Sequence, residues 1–166
     1  AEAQARAAGG RVLYLATAEA IDDEMRVRII NHRAARPAEW RTCEAPRQVA
    51  TALAQAWSDG RPDQVLFDCV TVWVNNVVFA LGDDPAADVA QRAMDAELDA
   101  LLTFIAAHPA QWLLVSNEVG LGIVPDTPLA RMYRDLLGRV NQRLAATADS
   151  VLFMVAGLPM AVKGRA

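Results

Sequence analysis

The sequence predicts an α/β protein with a mostly parallel sheet covered by helices on both faces. Three observations predict it. Short apolar runs alternate with helix-patterned segments along the chain. The runs are apolar throughout rather than alternating with polar residues, as strands buried on both faces must be. The 166 residues contain no internal repeat, no low-complexity stretch and no linker long enough to divide them. A chain of this length, 54% hydrophobic and 22% charged, can bury a real core as one domain over residues 1–166.

Taken in order, "AEAQARAAGG" reads as a helix stopped by Gly9-Gly10. Residues 11–17, "RVLYLAT", are the first buried strand. Asp22, Asp23 and Glu24 precede Arg26, Arg28 and Arg33, the charge order of a helix aligned with its dipole. That helix should end before Pro37, because the residue ahead of a proline disfavours helical geometry. Residues 46–58 are helical through Val49, Leu53 and Trp57, and "GRP" breaks the pattern. "QVLFDCV" (64–70) is the second strand, 71–81 an apolar helix, and 86–107 a long helix with Leu98, Leu101, Leu102 and Ile105 on one face. "QWLLVSNEV" (111–119) is the third strand. After the loop "GLGIVPD", Thr127-Pro128 supplies an N-cap and a first-turn proline. The helix that follows carries Leu129, Met132, Tyr133, Leu136, Leu137, Val140 and Leu144 at a 3.6-residue period. "SVLFMVAG" (150–157) is the fourth strand.

Sixteen basic against 20 acidic residues, a net charge of −4, exclude broad nucleic-acid binding but not a local basic pocket. No apolar run approaches the roughly 18 residues of a membrane span. Cys43 and Cys69 make neither a disulfide framework nor a zinc cluster, and with no visible signal peptide the composition is that of a cytoplasmic protein.

In open α/β sheets, ligands bind beyond the carboxyl ends of the strands. The polar candidates there are Thr17, Ala18 and Glu19 after the first strand, Asp68 on the second, and Asn117-Glu118 after the third. "VLFD" has the pattern of a Walker B element, whose aspartate holds Mg²⁺ at a nucleotide's phosphates; the plainer reading is an acid capping the next helix. Asn117-Glu118 reads equally as a contact to a metal-bound water or substrate hydroxyl and as a pair satisfying the backbone of a turn. "GLGIVP" is no dinucleotide fingerprint.

His32 also has two readings. Met25, Ile29 and His32 share one helical face, which places the ring against the core. Arg33 and Arg36 stand beside it, however. Fixed cations disfavour a protonated imidazole, nucleophilic attack requires a neutral one, and arginines grip phosphate in forked geometry. His108, before Pro109 at a helix end, reads as structural.

"YLATAEAIDDEMRVRIINHRAARPAEWRT", "LFDCVTVWVNN", "VSNEVGLGIVPDTPLARMYRDLLGRVNQRLAATAD" and "VAGLP" resemble, in order, consecutive blocks of the bifunctional adenosylcobinamide kinase/adenosylcobinamide-phosphate guanylyltransferases. The resemblance implies a P-loop NTPase (RecA-like) architecture assembled as a homotrimer. It implies phosphorylation of adenosylcobinamide, then transfer of GMP from GTP through a guanylylated histidine to adenosylcobinamide phosphate, giving adenosylcobinamide-GDP. GTP and ATP are the implied nucleotide substrates, with Mg²⁺. The guanylylated histidine falls on His32. The nucleotide-contacting positions fall on Thr17, Ala18 and Glu19, on Arg33, Ala34, Ala35 and Arg36, on Glu44, and on Asp68, the metal position. Two departures are mild: Asp68 stands where some members carry glutamate, and Asn31 where some have a second histidine. The family's first strand and its GGxRSGKS loop are not in the sequence, and "AEAQARA" resembles the helix that follows them, so the expectation is a protein that extends upstream. The residues alone leave open another P-loop small-metabolite kinase or a non-catalytic nucleotide-binding subunit.

Overall fold

The computed structural model describes residues 1–164 of the 166. It divides into two compact units, Ala1–Glu118 and Val119–Ala166. The first contains α1 (Glu2–Ala8), β1 (Val12–Ala16), α2 (Asp23–Ala34), β2 (Arg41–Glu44), α3 (Val49–Ser58), β3 (Gln64–Asp68), α4 (Val70–Phe79), α5 (Ala87–Ala107) and β4 (Gln111–Val115). The second contains α6 (Pro128–Thr147), β5 (Val151–Val155) and β6 (Leu158–Lys163).

In the first unit four parallel strands lie in the order β2-β1-β3-β4. Tyr14 pairs with Leu66 and Ala16 with Asp68, while Leu66 lies opposite Leu113 and Asp68 opposite Val115. Side chains alternate along a strand, so these residues share one face of the sheet. Ala5 of α1, Trp40 and Val12 pack with them. Leu13, Leu15, Val65, Phe67, Trp112 and Leu114 point to the opposite face. There Trp73 of α4 meets Phe67 at 5.6 Å, and Trp57 of α3 stacks on Trp112 at 6.1 Å. Ala90, Met94, Leu98, Leu101 and Phe104, at spacings of three and four, form the buried stripe of α5.

Helices therefore cover both faces, as the sequence predicts. The connection from β1 to β2 runs over the first face through α2; those from β2 to β3 and from β3 to β4 run over the second. Right-handed crossovers require this when the chain reverses its direction across the sheet. The reversal falls at the carboxyl ends of β1 and β3, the switch point at which such sheets bind ligands.

The local signals that set the helix ends work as expected. Asp22 caps α2 by accepting from Met25 N at 2.7 Å, and α2 stops at Ala34, ahead of Pro37. Thr127 caps α6 through Ala130 N, with Pro128 in the first turn. Gly9, with φ of 68°, ends α1. His108 is structural: its Nδ1 lies 2.8 Å from Phe104 O, and its ring stacks on Phe104 at 3.8 Å.

Three expectations need correction. Residues 41–44 form an edge strand, β2, that sequence reading misses: "RTCE" is polar because a strand at a sheet edge is only half covered. The predicted fourth strand exists as β5 but pairs antiparallel with β6, an unpredicted strand reached by a tight turn at Ala156 and Gly157, both with positive φ. Lys163 of β6 donates to Ala145 O and Ala146 O at 3.0 Å each, placing a cation at the carboxyl end of α6. Finally, α2 contributes no buried residue, and Met25 and Ile29 are only partly covered, so the core reading of His32 fails.

Candidate active site

The candidate site at this switch point is built from two strand ends and one helix end. β1 brings Tyr14 and, after it, Thr17; β3 brings Asp68; the last turn of α2 brings His32. Tyr14 Oη and His32 Nε2 are 2.7 Å apart, and the Tyr14 hydroxyl donates to Asp68 Oδ2. His32 Nε2 is itself 3.3 Å from Asp68 Oδ2 and 3.7 Å from Glu2 Oε1. Tyr14 is buried, whereas the His32 side chain remains 46% exposed, open enough to meet a substrate. Burial first, then the hydrogen bond and charge of Asp68, push the Tyr14 hydroxyl above its ordinary pKa, with Arg36 opposing; it remains a protonated donor.

The arginines do not surround the histidine as the sequence suggests. The Arg33 guanidinium reaches Glu44 Oε1 at 3.2 Å, with both side chains well exposed. Arg36 lies flat over the Tyr14 ring, its guanidinium carbon 3.5 Å from the centroid. Its Nη1 lies 3.5 Å from Thr42 Oγ1. Its Nε is buried with no acceptor among the described residues. Buried N–H groups are rarely left unpaired, so this donor is available to an incoming oxygen. The immediate neighbours of the imidazole are two carboxylates and a phenol.

Thr17 is fully buried, and its hydroxyl is committed to the backbone. It donates to Cys69 O and accepts from Cys69 N, both at 2.9 Å. Asn76 donates to Thr17 O at 2.7 Å and to Pro46 O at 3.1 Å. These bonds tie the end of β1 to the start of α4 and fix the backbone leading to Ala18 and Glu19. Glu19 is exposed, and Ala34 and Ala35 close α2 at the surface. The Asn117 backbone N–H donates to Thr71 Oγ1 at 2.9 Å, so this residue serves at least the turn.

Sequence reading missed Tyr14 and Asn76. One signal for Tyr14 was present: a hydroxyl inside an otherwise aliphatic strand must find a polar partner. Two cavities of about 270 and 320 Å³ lie at the amino end of the sheet around Arg11, Glu39 and Gly10, away from these residues. Among the described residues no cluster of three metal-ligating side chains forms.

Residues 1–162 match the model of a family described as cobinamide kinase / cobinamide phosphate guanyltransferase. The bifunctional adenosylcobalamin biosynthesis protein CobU of Salmonella typhimurium is 46% identical over 159 residues, covering 92% of this chain and 86% of the relative. Its namesake from Escherichia coli is 42% identical over the same shares. The bifunctional adenosylcobalamin biosynthesis protein CobP of Pseudomonas aeruginosa is 44% identical over 164 residues, 99% of this chain and 89% of the relative. With a match of this extent, the chain belongs to the cobinamide kinase / cobinamide phosphate guanyltransferase family.

Proposed function

We propose that this protein phosphorylates adenosylcobinamide and then guanylylates the product, with His32 as the covalent carrier. Family membership supports the pair of activities. The observation that supports the carrier is the half-exposed His32 ring at the switch point, held by Tyr14 and Asp68 beside an arginine with an unpaired N–H. In the first step the substrate hydroxyl attacks the γ-phosphorus of ATP or GTP, and the nucleoside diphosphate leaves. In the second, an imidazole nitrogen of His32 attacks the α-phosphorus of GTP. The bond to the β-phosphate oxygen breaks, and pyrophosphate departs with its electron pair. In the third, a phosphate oxygen of adenosylcobinamide phosphate attacks the same phosphorus, the N–P bond breaks, and adenosylcobinamide-GDP forms. The covalent route divides one difficult transfer between two charged partners into two easier displacements.

The nucleotide contacts fall on Thr17, Ala18 and Glu19, on Arg33 to Arg36, on Glu44 and on Asp68. Thr17 acts by holding the backbone of its neighbours, since its hydroxyl is used. Arg36 Nε and the exposed edge of Arg33 offer charge-assisted bonds to phosphate oxygens. Asp68 suits Mg²⁺: it is a hard oxygen donor at the end of β3, and both its hydrogen bonds use Oδ2. Asp68 would hold such an ion together with water and nucleotide phosphates, and the ion would offset charge on the leaving pyrophosphate. Among the described residues no helix is long and apolar enough to cross a membrane. We read both units as one nucleotide-binding transferase domain, because the family match runs through both, and place it in the cytoplasm as a homotrimer.

Separate assays of the two reactions test the reading. His32→Ala should abolish formation of adenosylcobinamide-GDP and leave phosphorylation of adenosylcobinamide in place. Guanylyl transfer that survives His32→Ala would refute the carrier role.

A further inference from the structure

The geometry points to Nδ1 of His32 as the nitrogen that takes the guanylyl group, because Tyr14 and Asp68 hold the ring as its Nε2–H tautomer. This rests on the reading of His32 as the covalent carrier and adds the identity of the reacting atom.

The argument is one of proton count. Every polar contact of the ring is at Nε2, and among the described residues Nδ1 has none. The three groups facing Nε2 are Tyr14 Oη at 2.7 Å, Asp68 Oδ2 at 3.3 Å and Glu2 Oε1 at 3.7 Å. Both carboxylates only accept, and the phenol has one proton to give. If Tyr14 gave that proton to Nε2, Asp68 Oδ2 would lose its donor and face the oxygen of Tyr14 unshielded. If Tyr14 gives it to Asp68, its own oxygen is left as an acceptor. Nε2 must then carry a hydrogen, which both Tyr14 Oη and Asp68 Oδ2 can receive. Of the two neutral tautomers, only this one pairs every group. The lone pair of the neutral ring is thereby fixed on Nδ1, because the hydrogen bonds at the other nitrogen, Nε2, set the tautomer as in catalytic and metal-bound histidines.

The step balances without a proton transfer. The Nδ1 lone pair forms the N–P bond, the bond from the α-phosphorus to the bridging oxygen breaks, and pyrophosphate takes that pair. The Nε2 hydrogen stays on its two acceptors, and the ring carries one positive charge. When the acceptor phosphate attacks, the N–P pair returns to Nδ1, and a neutral imidazole leaves. Tyr14 is thus a positioning residue.

Protein carrying ¹⁵N-labelled histidine tests this, and its two histidines make the spectrum self-calibrating. His108 donates through Nδ1 to Phe104 O and should show the opposite tautomer to His32. After reaction with GTP and Mg²⁺, a one-bond ¹⁵N–³¹P coupling at Nδ1 of His32 is expected. Coupling at Nε2 would overturn the assignment while leaving the covalent histidine intact; no adduct at His32 would overturn the reading beneath it. In Asp68→Ala the Tyr14 hydroxyl is freed to donate to Nε2, so the Nε2–H fraction of free His32 should fall. A tautomer ratio unchanged from that of the parent protein would remove the Tyr14–Asp68 pair from the positioning role.

Discussion

The Tyr14 hydroxyl donates to Asp68 and sits 2.7 Å from His32 Nε2, so one buried group ties the end of α2 to the end of β3. Removing it by Tyr14→Phe takes away the closer donor to Asp68 Oδ2 and leaves only His32 Nε2 at 3.3 Å. A hydrogen bond to a charged group contributes about 1.5–3 kcal/mol, less where water can replace it, so the denaturant midpoint should fall with the m-value unchanged. An unaltered midpoint would show that the bond contributes nothing to the fold.

Thr17 offers a second test, because its hydroxyl serves both the N–H and the C=O of Cys69. Thr17→Val keeps the shape and orphans the Cys69 N–H, while Cys69 O keeps its bond from Trp73 N at 3.1 Å; the expected loss is about 1–3 kcal/mol. Thr17→Ser should retain most of the stability. Equal losses in the two variants would mean that the methyl group, not the hydroxyl, matters.

The two arginines beside His32 should behave differently. Arg36 is planar on the Tyr14 ring, with a buried unpaired Nε; lysine can supply neither the stack nor the fork. If one charge-assisted bond of about 1.5 kcal/mol to GTP is lost, Arg36→Lys should weaken GTP binding roughly tenfold by calorimetry. Arg33 is well exposed on Glu44 and keeps its charge in Arg33→Lys, so a smaller change is expected there. Equal effects would remove the special role of Arg36.

At the opposite end of the sheet, Arg11 grips Asp63 through its backbone N–H, Nε and Nη2. That grip lowers the Asp63 pKa to about 2, chiefly through the side-chain hydrogen bond from Arg11. A carboxylate depressed in the folded state stabilises above its unfolded pKa of about 3.9 and loses that stability as pH falls through the folded value. Thermal scans from about pH 4 down to about 2 should therefore fall less steeply for Asp63→Asn than for the parent protein. Parallel curves would contradict the assignment.

Much of the frame was legible because its signals are local. Aliphatic runs marked β1, β3 and β4; Thr127-Pro128 marked α6; Pro37 marked the end of α2. β2 was not legible, since four polar residues at an edge have no periodic signature. Nor was the pairing of β5, which depends on β6 rather than on its own composition. At the site, His32 and Asp68 could be singled out by type and place. Their link could not, because Tyr14 lies 18 residues from one and 54 from the other. The arginines misled for a geometric reason: successive helix residues point about 100° apart, so neighbours in sequence need not share an environment. Arg33 turns to Glu44, and His32 turns to the acids.

The central claim is that His32 carries the guanylyl group. Reaction of the protein with GTP and Mg²⁺, followed by peptide mass mapping under alkaline conditions, measures it directly. The account predicts one guanylyl group on the peptide containing His32, discharged on adding adenosylcobinamide phosphate and absent in His32→Ala. Turnover to adenosylcobinamide-GDP with no such adduct, or an adduct that persists in His32→Ala, would contradict it.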